Sequence, residues 1–228
     1  MPSRRSGSTW AIAAALLSWA PPAMAADYAR APIAQYQTAR ADEIALARSA
    51  APPSISKDAT VLVLGATGYE TAAAGTNGFT CLVERSWGSQ FDDPQFWNPK
   101  IRAPICFNAA ATRTVLPEYL KRSEWVLAGQ DLPALRAQAK AAIASGAFGP
   151  PAVGAMCYMM SKQGYLNDKA GHWHPHIMYF LPRTDAASWG ANLPGSPMIA
   201  FVDPEEPATT FFAPVPAWSD GSMGPMEM

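Results

Sequence analysis

All three histidines of the chain fall within five residues, as His172, His174 and His176 of the stretch HWHPH. Imidazole is the commonest metal ligand at neutral pH and also a general acid or base, so chemistry is expected here first. In an extended strand the three rings project to one face and Trp173, Pro175 and Ile177 to the other. Residues two apart in a strand are about 6.6 Å apart, and residues four apart about 13 Å. With metal–nitrogen bonds of about 2.0–2.1 Å, two imidazoles can share one ion across the shorter gap and not across the longer one. An adjacent pair is therefore the largest set that a single ion takes from this segment, unless Pro175 bends it. Pro175 also removes a ladder donor, which predicts a strand start or a sheet edge.

A tetrahedral zinc site would need one or two more ligands. Glu84 and Asp168 are the leading candidates, and Asp203, Glu205 and Cys157 are also available. Met156, Met159, Met160 and Met178, with Met223, Met226 and Met228 near the end, raise copper as a second metal, since thioether and imidazole together suit it. Methionine is equally a filler of irregular cores. The plainer reading of the histidines is that they flank a sheet edge and bond to backbone or carboxylates.

Other reactive groups are less specific. Cys157 in GAMCYMMS sits among apolar residues, as a small buried hydrophobe would. Pairing of a cysteine with a histidine as nucleophile needs only spatial proximity, but nothing flanking Cys81 or Cys157 forms a nucleophile motif. Asp92 and Asp93 lie among Phe91, Phe96 and Trp97, a mixture suited to a sugar or calcium. Adjacent carboxylates diverge in extended chain, so a loop whose aromatics plug the core is the simpler expectation.

The stretch VLVLGATGYETAAAG, residues 61–75, resembles the opening of a dinucleotide-binding domain. Such a fold needs a third glycine for close helix packing and a helix opening at the turn. Thr71 occupies the third position, and glycines at 75 and 78 interrupt the helix. GATG therefore reads as a tight turn between strands, GTNG as a hairpin turn, and no nicotinamide or flavin cofactor is expected.

These groups must be positioned by the rest of the chain. Its 228 residues begin with Arg4 and Arg5, an apolar run from Trp10 to Ala20 and Ala23-Met24-Ala25, the three zones of a cleaved export signal. The apolar run of about 11 residues is too short to span a bilayer. Cleavage near Ala25 leaves residues 26–228, a chain not expected to span a membrane and destined for the periplasm or beyond. The formal charge of −1 then becomes about −3 with no basic run, which argues against nucleic acid as a partner. In an oxidising compartment Cys81, Cys106 and Cys157 allow one disulfide. Cys81 to Cys106 closes the shortest loop and is the first choice, with no bridge as the alternative.

Helices are predicted over 33–50, 117–128 and 131–146, the last with Asp131 as N-cap and Pro133 in its first turn. Apolar or alternating runs predict strands at ATVLVL, GFTCLVERSW, VGAMCYMMS, HPHIMYFLP, PMIAFV and TTFFAPV. Residues 88–104 read as a long loop, and the last ten or so as a frayed tail. Short strands without intervening helices imply antiparallel pairing. The expected fold is α+β: a single domain with a mostly antiparallel sheet and two or three helices on one face.

GTNGFTCLVERSWG and GHWHPHIMYFLP resemble segments of an uncharacterised family of exported bacterial proteins, over residues 40–215. That resemblance implies export and a single domain, and it carries no activity, cofactor or catalytic residue. Three functions follow. The first is an exported accessory or binding protein, taking a metal or small polar ligand at the His172–His176 edge. The second is a metal-dependent hydrolase with a histidine pair as ligands and Glu84 or Asp168 as base or third ligand. The third is a structural or interaction protein without catalysis.

Overall fold

The computed structural model describes residues 28–166, 174–203 and 205–224. The expected export signal, His172 and Asp168 lie outside the described residues. The elements are α1 (Arg40–Arg48), α2 (Pro53–Ser56), β1 (Thr60–Leu64), β2 (Tyr69–Ala73), β3 (Thr80–Glu84), β4 (Ala103–Phe107), α3 (Ala109–Thr114), α4 (Leu116–Leu127), α5 (Leu132–Ala144), β5 (Met156–Met159), β6 (His176–Pro182), β7 (Ile199–Val202) and β8 (Ala208–Pro214). The strands form one open sheet in the order β2-β1-β3-β4-β5-β6-β8-β7. Every neighbouring pair is antiparallel except β1 and β3. The fold is thus α+β.

The β1–β3 exception follows from the glycine turn. GATG is a hairpin turn, with Gly65 N–H donating to Gly68 O at 2.8 Å. The hairpin sends β2 to the outer edge, antiparallel to β1. GTNG then crosses the end of β1, so β3 enters parallel to it. A hairpin through GTNG is therefore corrected to a crossover. Gly75 is required there: a Cβ would lie 2.1 Å from Thr60 N and 2.3 Å from the Ala59 carbonyl carbon.

Two strands differ from expectation. β2 has few apolar residues, and β4 hides inside a segment rich in Pro and Asp. Yet all five residues of β4 are buried, between β3 and β5. Cys81 and Cys106 face each other directly across β3 and β4 and are joined as a disulfide, with Cα atoms 3.9 Å apart.

The helices are divided between the two faces of the sheet. Ala47 of α1 packs on Val61, Cys81, Val83 and Cys106. Ala111, Val115 and Leu116 at α3 and α4 pack on Leu62, Leu82, Ile105 and Phe107 of the opposite face. The expectation of helices on one face is corrected, because adjacent β3 and β4 are apolar on both sides and each side needs a cover. The segment 33–50 is also not one helix: a 3₁₀ turn at Ile33–Gln35 precedes α1. Tyr36 between them is buried, its hydroxyl donates to Trp97 O at 2.9 Å, and its carbonyl accepts from Arg85 Nε at 2.6 Å. α4 and α5 lie close to their predicted ranges, and Asp131 caps α5 by accepting from Ala134 N at 3.0 Å.

Phe91, Phe96 and Trp97 of the long loop plug a second core with Tyr36, Trp87, Val126 and Leu135. Near the C-terminus, Ser219 N–H donates to Met160 O at 2.9 Å and its hydroxyl to Ser49 O at 2.6 Å. No helix among the described residues is long and apolar enough to cross a membrane.

Candidate functional site

The histidine edge has a definite local geometry. β6 begins at His176, just after the buried Pro175. His176 Nδ1 lies 2.8 Å from the His174 carbonyl, and its ring packs on Phe212 at 5.2 Å. With Nδ1 as the donor, the lone pair sits on Nε2. Burial lowers the His176 pKa, against the opposing effect of that carbonyl, and so favours the neutral ring.

Glu84 is distant from this edge. His176 lies opposite Met159 on β5, and Glu84 opposite Ala103 on β4. Three strand spacings thus separate β3 from β6, about 14 Å. Among the described residues, no three His, Cys, Asp or Glu side chains converge to hold a metal. Cys157 is buried, and burial, with Glu84 adding to it, pushes its thiol well above the ordinary range. It is therefore protonated at neutral pH and a poor nucleophile.

Glu84 belongs to a different place, behind a cleft of about 120 Å³ between α4 and the β6–β8–β7 end of the sheet. α4 supplies Glu118, Tyr119 and Arg122, β6 Phe180, and β7 Phe201. The link into β8 adds Asp203 and Glu206, and Ser89 and Gln90 close the other side. Glu118 and Arg122 are one helical turn apart, so they stand on one face of α4.

Arg122 is 4% exposed and organises the cleft. Its Nη2 donates to Glu118 Oε1 at 2.5 Å and Glu206 Oε1 at 2.9 Å, and its Nη1 to Ser89 O at 2.8 Å. The Phe91 ring covers the guanidinium at 4.4 Å. Nε is closed off from solvent and has no acceptor among the described residues. Burial raises the Glu118 pKa well above the usual carboxylate range; Arg122 opposes this and the neighbouring Glu206 adds to it. Burial also keeps the Tyr119 phenol neutral. Gln90 Nε2 donates to Asp203 Oδ2 at 3.4 Å.

The Glu84 carboxyl presses against Gly88, where a Cβ would stand 1.7 Å from Oε1. A larger residue at 88 would have to displace the Glu84 side chain. Burial pushes Glu84 up to about 8, partly offset by Arg122. As pH rises, the unfolded chain loses this proton first, near 4.5. Between about 4.5 and 8 the native state binds the extra proton, so stability falls with rising pH across that window. Glu84→Gln should remove this slope. Its Tm should match wild type at pH 5 and exceed it by several degrees above pH 8; parallel curves in a thermal-melt series would refute the assignment.

Of the residues singled out from sequence, Glu84 stands behind this cleft and Asp203 in its wall, whereas Glu205 pairs outside it with Arg136 at 2.9 Å. Glu118, Arg122 and Glu206 carried no motif. The available signal was an ionic pair four residues apart on the same helix as buried Leu116, Ser123 and Val126. No protein-family model, curated protein or solved structure matches the chain.

Proposed function

We propose that residues 26–228 form a single-domain exported binding protein, related to the uncharacterised exported family, that takes a small polar ligand in the α4–β8 cleft. The observation carrying this reading is the buried Arg122, fixed by two carboxylates and a carbonyl at the wall of an open, partly aromatic cavity. Such preorganised polar groups in an apolar recess are what a small-molecule site needs. Export rests on the N-terminal pattern, and the absence of a basic run speaks against nucleic acid.

The test is a thermal-shift screen of the mature protein against small amines, acids, alcohols and sugars, repeated with Ala208→Trp to fill the cleft. At least one solute class should raise the wild-type Tm, and the variant should lose that response. A screen without any response, or responses that survive Ala208→Trp, would overturn the cleft reading.

A second reading keeps the ligand at the histidine edge, as a zinc or copper site of a binding protein or metal-dependent hydrolase. One observation favours it: a carbonyl at Nδ1 is the support that metal-ligating histidines use to orient Nε2. Elemental analysis of the purified protein and of His174→Ala decides it. Equal, negligible metal in both would end this reading.

A further inference from the structure

The cleft carries a statement about the charge of its ligand, which rests on the cleft reading above. Its wall holds Glu118, Asp203 and Glu206 against one guanidinium, with Glu84 behind Gly88. Beside it, Arg136 of α5 is paired to Glu205, Arg183 Nε donates to the Glu206 carbonyl at 3.0 Å, and Arg113 of α3 lines a separate recess on the far side of Glu118.

The guanidinium itself is spent. Both Nη atoms of Arg122 are donating to protein oxygens, and Nε is sealed from solvent. An anion entering the cleft would thus meet acceptors and no available donor on Arg122. A cation would meet carboxylate oxygens that each have lone pairs to spare. Tyr119, Phe180 and Phe201 supply aromatic and apolar surface beside them. Ring faces attract cations and bury an apolar body equally well. Phe201 is 48% exposed and forms a lip that continues into exposed Ile199, two residues earlier on the same face of β7. The space of about 120 Å³ compares with about 150 Å³ for a cavity that holds benzene.

We propose that the cleft binds a small organic cation, a protonated amine on an apolar body about the size of one ring. The ammonium lies between Glu118, Asp203 and Glu206, and the apolar body against Phe180 and Phe201. Binding favours the ionised form of Glu118, so affinity rises with pH while the amine remains protonated.

Calorimetry of the mature protein with benzylamine, benzyl alcohol and benzoate, at pH 6 and pH 8, tests this with one ring and three head groups. Benzylamine should bind at least tenfold more tightly than the other two and tighten severalfold from pH 6 to pH 8. Glu206→Gln, checked for folding by near-ultraviolet circular dichroism, should weaken benzylamine about tenfold, and Phe201→Ala severalfold. Lys57→Ala, at an exposed ion pair with Asp58, should leave binding unchanged. Benzoate or benzyl alcohol binding as well as benzylamine, and lost in Ala208→Trp, would overturn the cation and leave the cleft reading intact. Binding of none of the three would overturn the cation inference, with the wider solute screen deciding the cleft separately. A response to calcium chloride alone would overturn it in favour of a metal ion.

Discussion

Replacing Glu43 by leucine should destabilise the protein by about 3–5 kcal/mol, the cost of leaving a buried charge without its partner. Glu43 on α1 and Arg85 after β3 are 1% and 0% exposed in their side chains and form an ion pair at 2.8 Å. The other Glu43 oxygen accepts from Leu64 N at 2.9 Å, and Arg85 Nε donates to Tyr36 O. One carboxylate thus joins α1, β1 and the chain after β3. Its loss strands the guanidinium and orphans the Leu64 N–H, and a guanidinium cannot shed its charge by losing a proton near neutral pH. The double variant Glu43→Leu with Arg85→Met removes both charges and should recover much of the loss. Urea unfolding of the three variants measures this. A single variant within about 1 kcal/mol of wild type would show that the pair does not hold α1 to the sheet.

Arg122→Met should cost a similar amount, about 3–5 kcal/mol, but with a pH dependence that Glu43→Leu does not share. Methionine keeps the apolar stem and leaves Glu118 and Glu206 facing each other, and Ser89 O without its donor. A carboxyl, unlike a guanidinium, can escape by taking up a proton. The loss should therefore be greater at pH 8 than at pH 5. Burial and Glu206 already raise the Glu118 pKa, so removing the one opposing cation moves it further in the same direction. Urea unfolding at the two pH values reads the difference, and an equal loss at both would mean that Arg122 acts by packing on Phe91 rather than by charge.

Both predictions concern charged groups in the interior, whose burial no local sequence pattern marks. Glu43 lies in an alanine-rich stretch in which a helix was expected, yet no local pattern marks it as buried. Arg85 is distant in sequence and meets it only because β1 and β3 lie side by side. The cleft residues are alike in this respect. Glu118 and Arg122 share a helix face by spacing, but Glu206 reaches Arg122 across 84 residues of sequence. Glu84 acquires its raised pKa from burial, against the opposing charge of Arg122, and the strand alternation around it does not show that burial.

The sequence by itself determined the period-two and helical segments that became β1, β3, β5–β8, α4 and α5, because side-chain alternation and caps are local. It also determined that GATG is a turn between strands, since Thr71 and the glycines at 75 and 78 are local facts too. The hidden strand β4, the parallel pairing of β1 with β3 and the division of helices between faces came only with the tertiary structure. Pairing partners and burial depend on residues far apart along the chain. For the same reason, the chemistry of HWHPH is legible in one short run, whereas the charged cleft exists only where α4 and the strands of the sheet's far end come together.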